Sequence, residues 1–215
     1  MPSRELPNFG PMRSPPSVAA IIPCLDEEDA IGPVVATVLG HGVTDVIVVD
    51  GASKDRTAEC ALAAGARVIV ELRRGYGRAI QAGIAALRED ADIVVFLDGD
   101  GSDPAEFIPA LIDPIAAGAA AFVLGSRLRG KREPGSLAPQ QIAAGLVGSF
   151  LLRAIYGVRF SDLSPFRAVR RDTLRGLGMC EATYGWNLEM LMRVAAATED
   201  EDAENAGRMG LRRRM

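Results

Sequence analysis

The chain has 215 residues, of which 48% are hydrophobic and 24% are charged, and its formal net charge is −4. This length and composition are typical of one globular domain with a substantial hydrophobic core. The negative charge argues against a general nucleic-acid binder, which needs a basic face, and no apolar run approaches the roughly twenty residues of a membrane-spanning helix.

The two ends of the chain differ from its middle. The first seventeen residues contain five prolines and no apolar segment, so we expect a disordered leader rather than a secretion signal. The folded domain is predicted over residues 18–196 and a disordered, charged tail over 197–215, where Glu199–Glu204 is an acidic block without periodicity. Three cysteines are few and odd in number, which favours a reduced cytoplasmic chain over a disulfide framework.

The middle of the chain alternates between predicted strands and helices. Continuous apolar runs predict buried strands at residues 18–22, 46–49, 68–70, 94–97 and 120–124. Between them, apolar residues recur at helical spacing, and Asp26 and Asp103 are predicted to cap two of the helices. A later strand is predicted at 166–169 and a helix at 186–196. This alternation indicates an α/β fold, with a mostly parallel central sheet and helices on both faces.

The most informative stretch is the strand end Asp98-Gly99-Asp100. Two carboxylates this close repel each other unless a cation lies between them or one takes up a proton. One interpretation is Mg²⁺ or Mn²⁺ held by the carboxylates and by the phosphates of a ligand. The other is a solvated turn in which both acids only cap the following helix. In open α/β sheets, ligands bind at this end of the strands.

Other strand ends carry polar residues at the same predicted edge. They are Pro23-Cys24-Leu25-Asp26-Glu27, the segment from Asp50 to Asp55, and Gly125-Ser126-Arg127.

Four cations then fall within six residues and precede a Pro-Gly pair, which predicts a loop. This loop is either a solvated basic surface or an anion-binding segment. Residues 142–155 predict an apolar helix, for which a place in the core is favoured over a membrane surface.

In their order and spacing, these four strand-end segments resemble the family 2 glycosyltransferases, which bind nucleotide sugars and have the GT-A fold. The resemblance covers about residues 18–196 and is greatest to the branch of dolichol-phosphate mannosyltransferases and related polyprenyl-phosphate glycosyltransferases. The segments 162–167 and 183–189 also resemble the acceptor side of that branch.

The resemblance implies a donor site. Asp50 hydrogen-bonds the base or ribose, because a carboxylate accepts N–H and O–H groups. Asp100 is the direct ligand of Mg²⁺ or Mn²⁺, and Asp98 binds the metal, the ribose or the sugar. The metal bridges the diphosphate and stabilises the leaving group, and Gly99 lets the ligand approach the backbone. The implied nucleotide-sugar-binding positions are Pro23, Leu25, Glu27, Asp50, Gly51, Asp98, Gly99 and Asp100.

The resemblance also implies an acceptor, a polyprenyl phosphate at the cytoplasmic face of a membrane, and an inverting transfer. A phosphate monoester is mostly a dianion at pH 7, so it needs positioning more than a base. Arg127 is implied to meet the diphosphate or the acceptor phosphate. A sugar hydroxyl acceptor would instead need a general base, and Glu189 and Asp162 are the candidates. The implied acceptor-binding cations are Arg127, Arg129, Lys131 and Arg132.

Two departures from the family pattern bear on activity. Ser102 stands where close relatives often carry Gln or His near the metal. Relatives also continue past the helix at 186–196 with a further strand and a basic segment, whereas this chain becomes acidic. We therefore expect donor binding to persist and transfer by this chain to be weak.

Alternative functions remain open from the sequence. A nucleotide-sugar-binding protein without turnover is one. A sugar nucleotidyltransferase is another, although that class opens with a glycine-rich, basic loop where this chain has Cys24-Leu25-Asp26-Glu27. The sequence identifies neither the sugar nor the base, and it leaves the oligomeric state open, a homo-oligomer included.

Overall fold

The computed structural model describes Met12, residues 15–125 and residues 164–197. Its six strands are β1 Val18–Cys24, β2 Asp45–Asp50, β3 Arg67–Val70, β4 Ile93–Phe96, β5 Phe122–Leu124 and β6 Arg167–Arg170. Its helices are α1 Ile31–Gly40, α2 Thr57–Ala63, α3 Tyr76–Ala85, α4 Ile108–Ala116, α5 Arg171–Leu177 and α6 at residues 186–197, and a 3₁₀ turn, Ala105–Phe107, precedes α4.

The strands form one sheet in the order β3-β2-β1-β4-β6-β5. The first four strands run parallel to one another. Strand β6 is antiparallel to both β4 and β5, so β5 points the same way as β1–β4. The predicted α/β fold with a mostly parallel sheet is confirmed, and the carboxyl ends of β1–β5 share one edge.

Helices cover both faces of the sheet. On one face, Ala20, Ile22 and Val95 pack in a fully buried cluster that also contains Val35 of α1 and Ile108 of α4. On the other face, strand residues pack against α3, α5 and α6, in a second cluster that includes Ile21, Phe96, Ile80, Leu174 and Trp186. Alternate residues of β1 serve opposite clusters because side chains alternate across a strand. Helices on both faces are therefore confirmed.

Three details differ from the sequence prediction. Asp26 and Asp103 do not cap helices: α1 and the 3₁₀ turn begin at residues without a side-chain cap, and both acids hydrogen-bond to other backbone groups. Helix α5 was not predicted, because its sequence from Arg171 to Leu177 is short and contains a glycine. Strand β6 runs antiparallel to β4. Its direction could not be predicted, because it depends on the strands with which β6 pairs rather than on the residues of β6 itself.

Several predicted segments lie outside the described residues. They include the tail from residue 198 onward, the apolar helix at 142–155, and most of the leader. Within the leader, Met12 packs against the core, and the Ser17 N–H donates to Asp92 Oδ2 at 2.9 Å. Across the part of the chain that is described, no helix combines the length and apolarity needed to span a membrane.

Candidate active site

A cleft of about 340 Å³ lies at the carboxyl edge of the parallel strands. The loops that follow β1, β2, β3 and β4 line it, together with the start of α3 and one residue before α6. The cleft therefore occurs where open α/β sheets bind their ligands. Of the eight predicted nucleotide-sugar positions, those that line it are Pro23, Leu25, Glu27, Gly51, Asp98, Gly99 and Asp100.

The two acids after β4 occupy different environments. Asp98 is partly buried and held at two points, because its N–H donates to Asp103 Oδ2 at 2.9 Å and its Oδ1 accepts from the Tyr76 hydroxyl at 3.2 Å. Asp100 is exposed, and its Oδ1 accepts from the Ser102 N–H at 2.9 Å. One carboxylate is therefore fixed against the protein, while the other is open to the cleft.

Close packing leaves no room for a side chain at Gly99. A Cβ at this position would lie 2.8 Å from Cys24 Cβ and 3.4 Å from the Pro23 carbonyl oxygen. Any side chain would therefore push the loop after β4 away from the end of β1. The sequence interpretation attributed this glycine to the approach of a ligand, whereas the structure supplies a steric reason inside the protein itself.

Asp50 joins the loops after β1 and β2. It is 4% exposed, and its Oδ1 accepts from the Ser53 N–H at 3.0 Å and from the Ser53 hydroxyl. Ser53 Oγ in turn accepts from the Asp26 N–H at 2.8 Å, and Asp26 Oδ1 accepts from the Lys54 N–H at 2.7 Å. Asp26 adopts a φ of 57°, which a short side chain bonded to nearby backbone tolerates. These contacts fix the backbone of the cleft wall, a task that the sequence did not predict for Asp50.

The floor of the cleft is electronegative. Burial raises the pKa of Glu27, and the charges of Asp100, Asp55 and Asp26 raise it further. Burial also raises the pKa of the Cys24 thiol to about 12, with the charges of Asp50, Glu27 and Asp55 adding to the shift. A cation bound here would relieve this repulsion.

The donor set fits a hard divalent cation. Carboxylate oxygens are the ligands that Mg²⁺ and Mn²⁺ prefer. Among the described residues, no group of three or more His, Cys, Asp or Glu side chains could hold a metal ion. Asp98 and Asp100 would therefore hold a cation only together with oxygens from a ligand such as a diphosphate.

Glu189 lies outside the residues that line the cleft. Its carboxylate accepts from the Glu181 N–H at 2.7 Å, from the Cys180 N–H at 3.1 Å and from Arg193 Nε at 2.8 Å. Burial alone would raise its pKa, but these hydrogen bonds outweigh burial and lower it. The contacts favour a structural role, and its role as a general base stays a prediction. The other predicted acceptor-side residues, Asp162, Arg127, Arg129, Lys131 and Arg132, lie outside the described part.

Among the cleft residues that were not predicted to be functional, Arg73, Arg74 and Tyr76 come from the turn after β3 and the first residue of α3, which the sequence shows only as a break between the two elements. Hydrogen bonds from Arg73 lower the pKa of Glu71 to about 2, so this arginine and its acid form a pair at the rim. Tyr184 also lines the cleft and is 86% exposed, and it belongs to the segment 183–189 that the resemblance assigned to the acceptor side. The adjacent basic and aromatic residues in Arg73-Arg74-Gly75-Tyr76 were the signal that could have revealed this rim.

A smaller cavity of about 260 Å³ lies at the opposite edge of the sheet. Its buried acid, Asp45, is already bonded to Arg67 at 2.9 Å and lies 3.7 Å from Arg88. Asp45 is therefore already paired with two arginines, which favours a structural role for this cavity.

Comparison with known proteins agrees with this geometry. Residues 19–178 match the family model described as glycosyl transferase family 2. An uncharacterised glycosyltransferase of Mycobacterium tuberculosis is 36% identical over 185 residues, which cover 84% of this chain and 80% of the relative. A dolichyl-phosphate hexose transferase of Haloferax volcanii is 36% identical over 182 residues, which cover 83% of this chain and 76% of the relative.

Among solved structures, glucosyl-3-phosphoglycerate synthase of M. tuberculosis is 27% identical with a TM-score of 0.65, and the match covers 82% of this chain and 64% of that one. The chain thus spans somewhat less than two thirds of that solved enzyme. The matched family region contains β2–β6, all but the first residue of β1, and all the loops that follow β1–β4. The chain therefore belongs to glycosyl transferase family 2, and its sheet is that of a GT-A glycosyltransferase.

Proposed function

We propose that this protein transfers a hexose from a nucleotide sugar to a phosphate-bearing acceptor with the help of a divalent cation. The observation that carries the proposal is the placement of Asp98 and Asp100 at the end of β4, in one cleft with the loops after β1 and β2. The partly buried carboxylate of Asp98 and the exposed carboxylate of Asp100 can together bind a cation whose remaining ligands come from a diphosphate.

The donor side is proposed as follows. Asp100 and Asp98 hold Mn²⁺ or Mg²⁺, which neutralises the charge that develops on the departing nucleoside diphosphate. Gly51, Pro23, Leu25 and Glu27, which line the cleft, bind the nucleoside, and Asp50, which does not line it, is proposed to reach the base or ribose from the end of β2. In support, glucosyl-3-phosphoglycerate synthase of M. tuberculosis, 26% identical, has been solved with Mn²⁺, UDP and phosphoglyceric acid. UDP with Mn²⁺ is therefore the first nucleotide and metal to test.

A polyprenyl phosphate is the proposed acceptor. The similarity to a dolichyl-phosphate hexose transferase supports this choice. The phosphate dianion attacks the sugar carbon directly and expels the diphosphate from the opposite face, which inverts the configuration. Such a nucleophile needs no general base, and this agrees with a Glu189 carboxylate that is already bonded to backbone groups.

The cations Arg127, Arg129, Lys131 and Arg132 are proposed to receive the acceptor phosphate. They would also provide a peripheral contact with an anionic cytoplasmic membrane face, where each cation contributes on the order of 1 kcal/mol. Replacement of Arg129, Lys131 and Arg132 by Ala is expected to reduce binding to anionic vesicles while nucleotide binding persists. Equal vesicle binding by the variant and the parent would contradict the membrane contact.

A second acceptor class has support of its own. The M. tuberculosis synthase has been solved with phosphoglyceric acid, and it is 26% identical to this chain. A small phosphorylated hydroxy acid would attack through its hydroxyl and would need a general base, unlike a polyprenyl phosphate.

One assay separates these possibilities. The protein is incubated with Mn²⁺, with UDP-, GDP- or dTDP-hexose, and with either a polyprenyl phosphate or 3-phosphoglycerate, and mass spectrometry detects the product. We expect donor binding and a low yield of glycosylated polyprenyl phosphate, which Asp100→Asn abolishes. Product from 3-phosphoglycerate alone would establish the second acceptor class. Donor binding without product from either acceptor would identify a nucleotide-sugar-binding protein instead.

A further inference from the structure

Side-chain interactions connect helix α6 to Asp98, the partly buried acid of the cleft. Tyr76, the first residue of α3, donates its hydroxyl proton to Asp98 Oδ1 at 3.2 Å. The side chain of Asn187, near the start of α6, interacts with the same hydroxyl. Asn187 Oδ1 is buried and has no hydrogen-bond partner among the described residues, so we assign the amide NH₂ as the group that faces Tyr76.

The direction of these bonds follows from the chemistry of the groups. A phenol hydroxyl carries one proton, and an ionised carboxylate can only accept. The Tyr76 proton is therefore given to Asp98, which leaves the Tyr76 oxygen as an acceptor for the Asn187 amide. Hydrogen bonds that run from Asn187 to Tyr76 to Asp98 reinforce one another in a partly buried environment.

Contacts with the core hold Asn187 in place. Arg167 is fully buried, its Nη1 donates to the Asn187 carbonyl oxygen at 3.4 Å, and its guanidinium lies 5.9 Å from the centre of the Trp186 ring. The N–H groups of Gly77 and Arg78 donate to the carbonyl oxygens of Thr183 and Ala182, both at 3.1 Å. Helix α3 and the segment before α6 are thereby joined, so Tyr76 and Asn187 keep their relative position.

We propose that Tyr76 is a positioning residue for sugar transfer: its hydroxyl holds the Asp98 carboxylate in the orientation that meets the metal-bound donor, and Asn187 holds Tyr76. This inference rests on the proposed function, because that proposal gives Asp98 its role. The phenyl ring of Tyr76 could pack against the core without its hydroxyl. The hydroxyl is the part that reaches Asp98, and small losses of positioning are costly to catalysis.

The test compares Tyr76→Phe with Thr37→Val, which removes a hydroxyl from the exposed face of α1, outside the residues that line the cleft. Calorimetry measures the affinity for Mn²⁺ in the presence of UDP and the affinity for UDP without metal. For Tyr76→Phe we expect Mn²⁺ affinity to fall about tenfold, as the loss of a hydrogen bond to a charged group predicts. Metal-free UDP affinity should stay at the parent value, and kcat should fall more than KM rises. Thr37→Val should retain the parent Mn²⁺ affinity.

The Asp98→Asn background separates the inference from the function on which it rests. If Tyr76 acts through Asp98, Tyr76→Phe should have little further effect in Asp98→Asn. If Asp98→Asn weakens Mn²⁺ affinity while Tyr76→Phe matches the parent, the positioning role is wrong and the proposed function stands. If Asp98→Asn changes neither metal nor donor binding, the metal assignment itself fails and the positioning role fails with it.

A second variant covers the case in which Tyr76→Phe is too unstable to assay. Asn187→Ala leaves the Tyr76 hydroxyl in place but removes the group behind it. We expect a smaller loss of Mn²⁺ affinity in the same direction, about threefold. An affinity equal to that of the parent would overturn the line of hydrogen bonds as a positioning device.

Discussion

The backbone N–H of Asp98 donates to the carboxylate of Asp103 at 2.9 Å, across the loop that joins β4 to the 3₁₀ turn. Asp103 is only 5% exposed, and a buried carboxylate is costly unless hydrogen bonds satisfy it. The bond therefore both satisfies the acid and fixes the backbone of the residue that the proposed function places nearest the donor. It makes the loop after β4 a rigid support for the site.

Asp103→Ala should destabilise the protein and weaken the site together. Loss of a hydrogen bond to a buried charged group is expected to lower the free energy of unfolding by about 1–3 kcal/mol. Urea unfolding measures this change, and calorimetry with Mn²⁺ and UDP measures the loss of affinity. Glu106→Ala is the control, because Glu106 is an exposed acid of the same turn and should change stability by less than about 0.5 kcal/mol. Equal stability of the two variants would contradict the role of Asp103.

The junction between α3 and residues 181–183 should be sensitive to a single methyl group. A Cβ on Gly77 would overlap the Glu181 carbonyl oxygen and lie 2.8 Å from the carbonyl carbon of Ala182. Gly77→Ala should therefore lower the free energy of unfolding by about 1–3 kcal/mol, as overpacking does.

The matched control for Gly77→Ala is Gly32→Ala in α1, where a Cβ would meet nothing within 4 Å. Because alanine favours helices over glycine, this variant should be more stable by up to about 1 kcal/mol. Unfolding in urea compares the two substitutions directly. A Gly77→Ala protein as stable as Gly32→Ala would show that the junction can move apart at no cost.

The fold could be predicted from the sequence because its strands are continuous apolar runs that end in polar residues. Strands β1, β2 and β4 lie within one or two residues of their predicted limits, and the positions after β4 lie in the cleft as expected. Helix α5 and the direction of β6 could not be predicted, because neighbouring strands and helices determine them rather than local propensity.

The parts of the site that the sequence did not reveal depend on contacts between distant residues. Tyr76 and Asn187 are separated by more than a hundred positions and meet only because α3 packs against the segment before α6. The sequence predicted only that Arg167 lies in a strand. In the structure its side chain is fully buried and donates to the carbonyl oxygens of Ser164 and Pro165. Such roles have no periodicity or motif to indicate them.

The electronegative floor of the cleft predicts a dependence of stability on pH. The pKa of Glu27 is raised in the folded state, first by burial and then by Asp100 and its other acidic neighbours. Between the unfolded value, about 4.3, and the raised folded value, the folded protein binds more protons than the unfolded chain. In that window the contribution of Glu27 to the free energy of unfolding falls as pH rises.

Glu27→Gln should therefore be more stable than the parent at pH 7, and the difference should shrink as pH falls to about 4. Urea unfolding of both proteins between pH 4 and pH 7.5 gives the difference at each pH. Glu106→Gln, which removes the charge of an exposed acid, is expected to follow the parent throughout. A Glu27→Gln protein that is less stable than the parent at pH 7 would show that this acid makes a net favourable interaction instead.

The central claim is that Asp98 and Asp100 bind a divalent cation together with a nucleoside diphosphate, and calorimetry of UDP binding with and without Mn²⁺ on Asp100→Asn tests it most directly. The substitution keeps the size of the side chain and removes a charged ligand, while Asp113→Asn makes the same change on an exposed face of α4. We predict that Mn²⁺ increases the affinity for UDP in the parent and in Asp113→Asn. In Asp100→Asn, the increase that Mn²⁺ produces should be at least about tenfold smaller. An Asp100→Asn protein with the parent's UDP affinity and the parent's dependence on Mn²⁺ would contradict the claim.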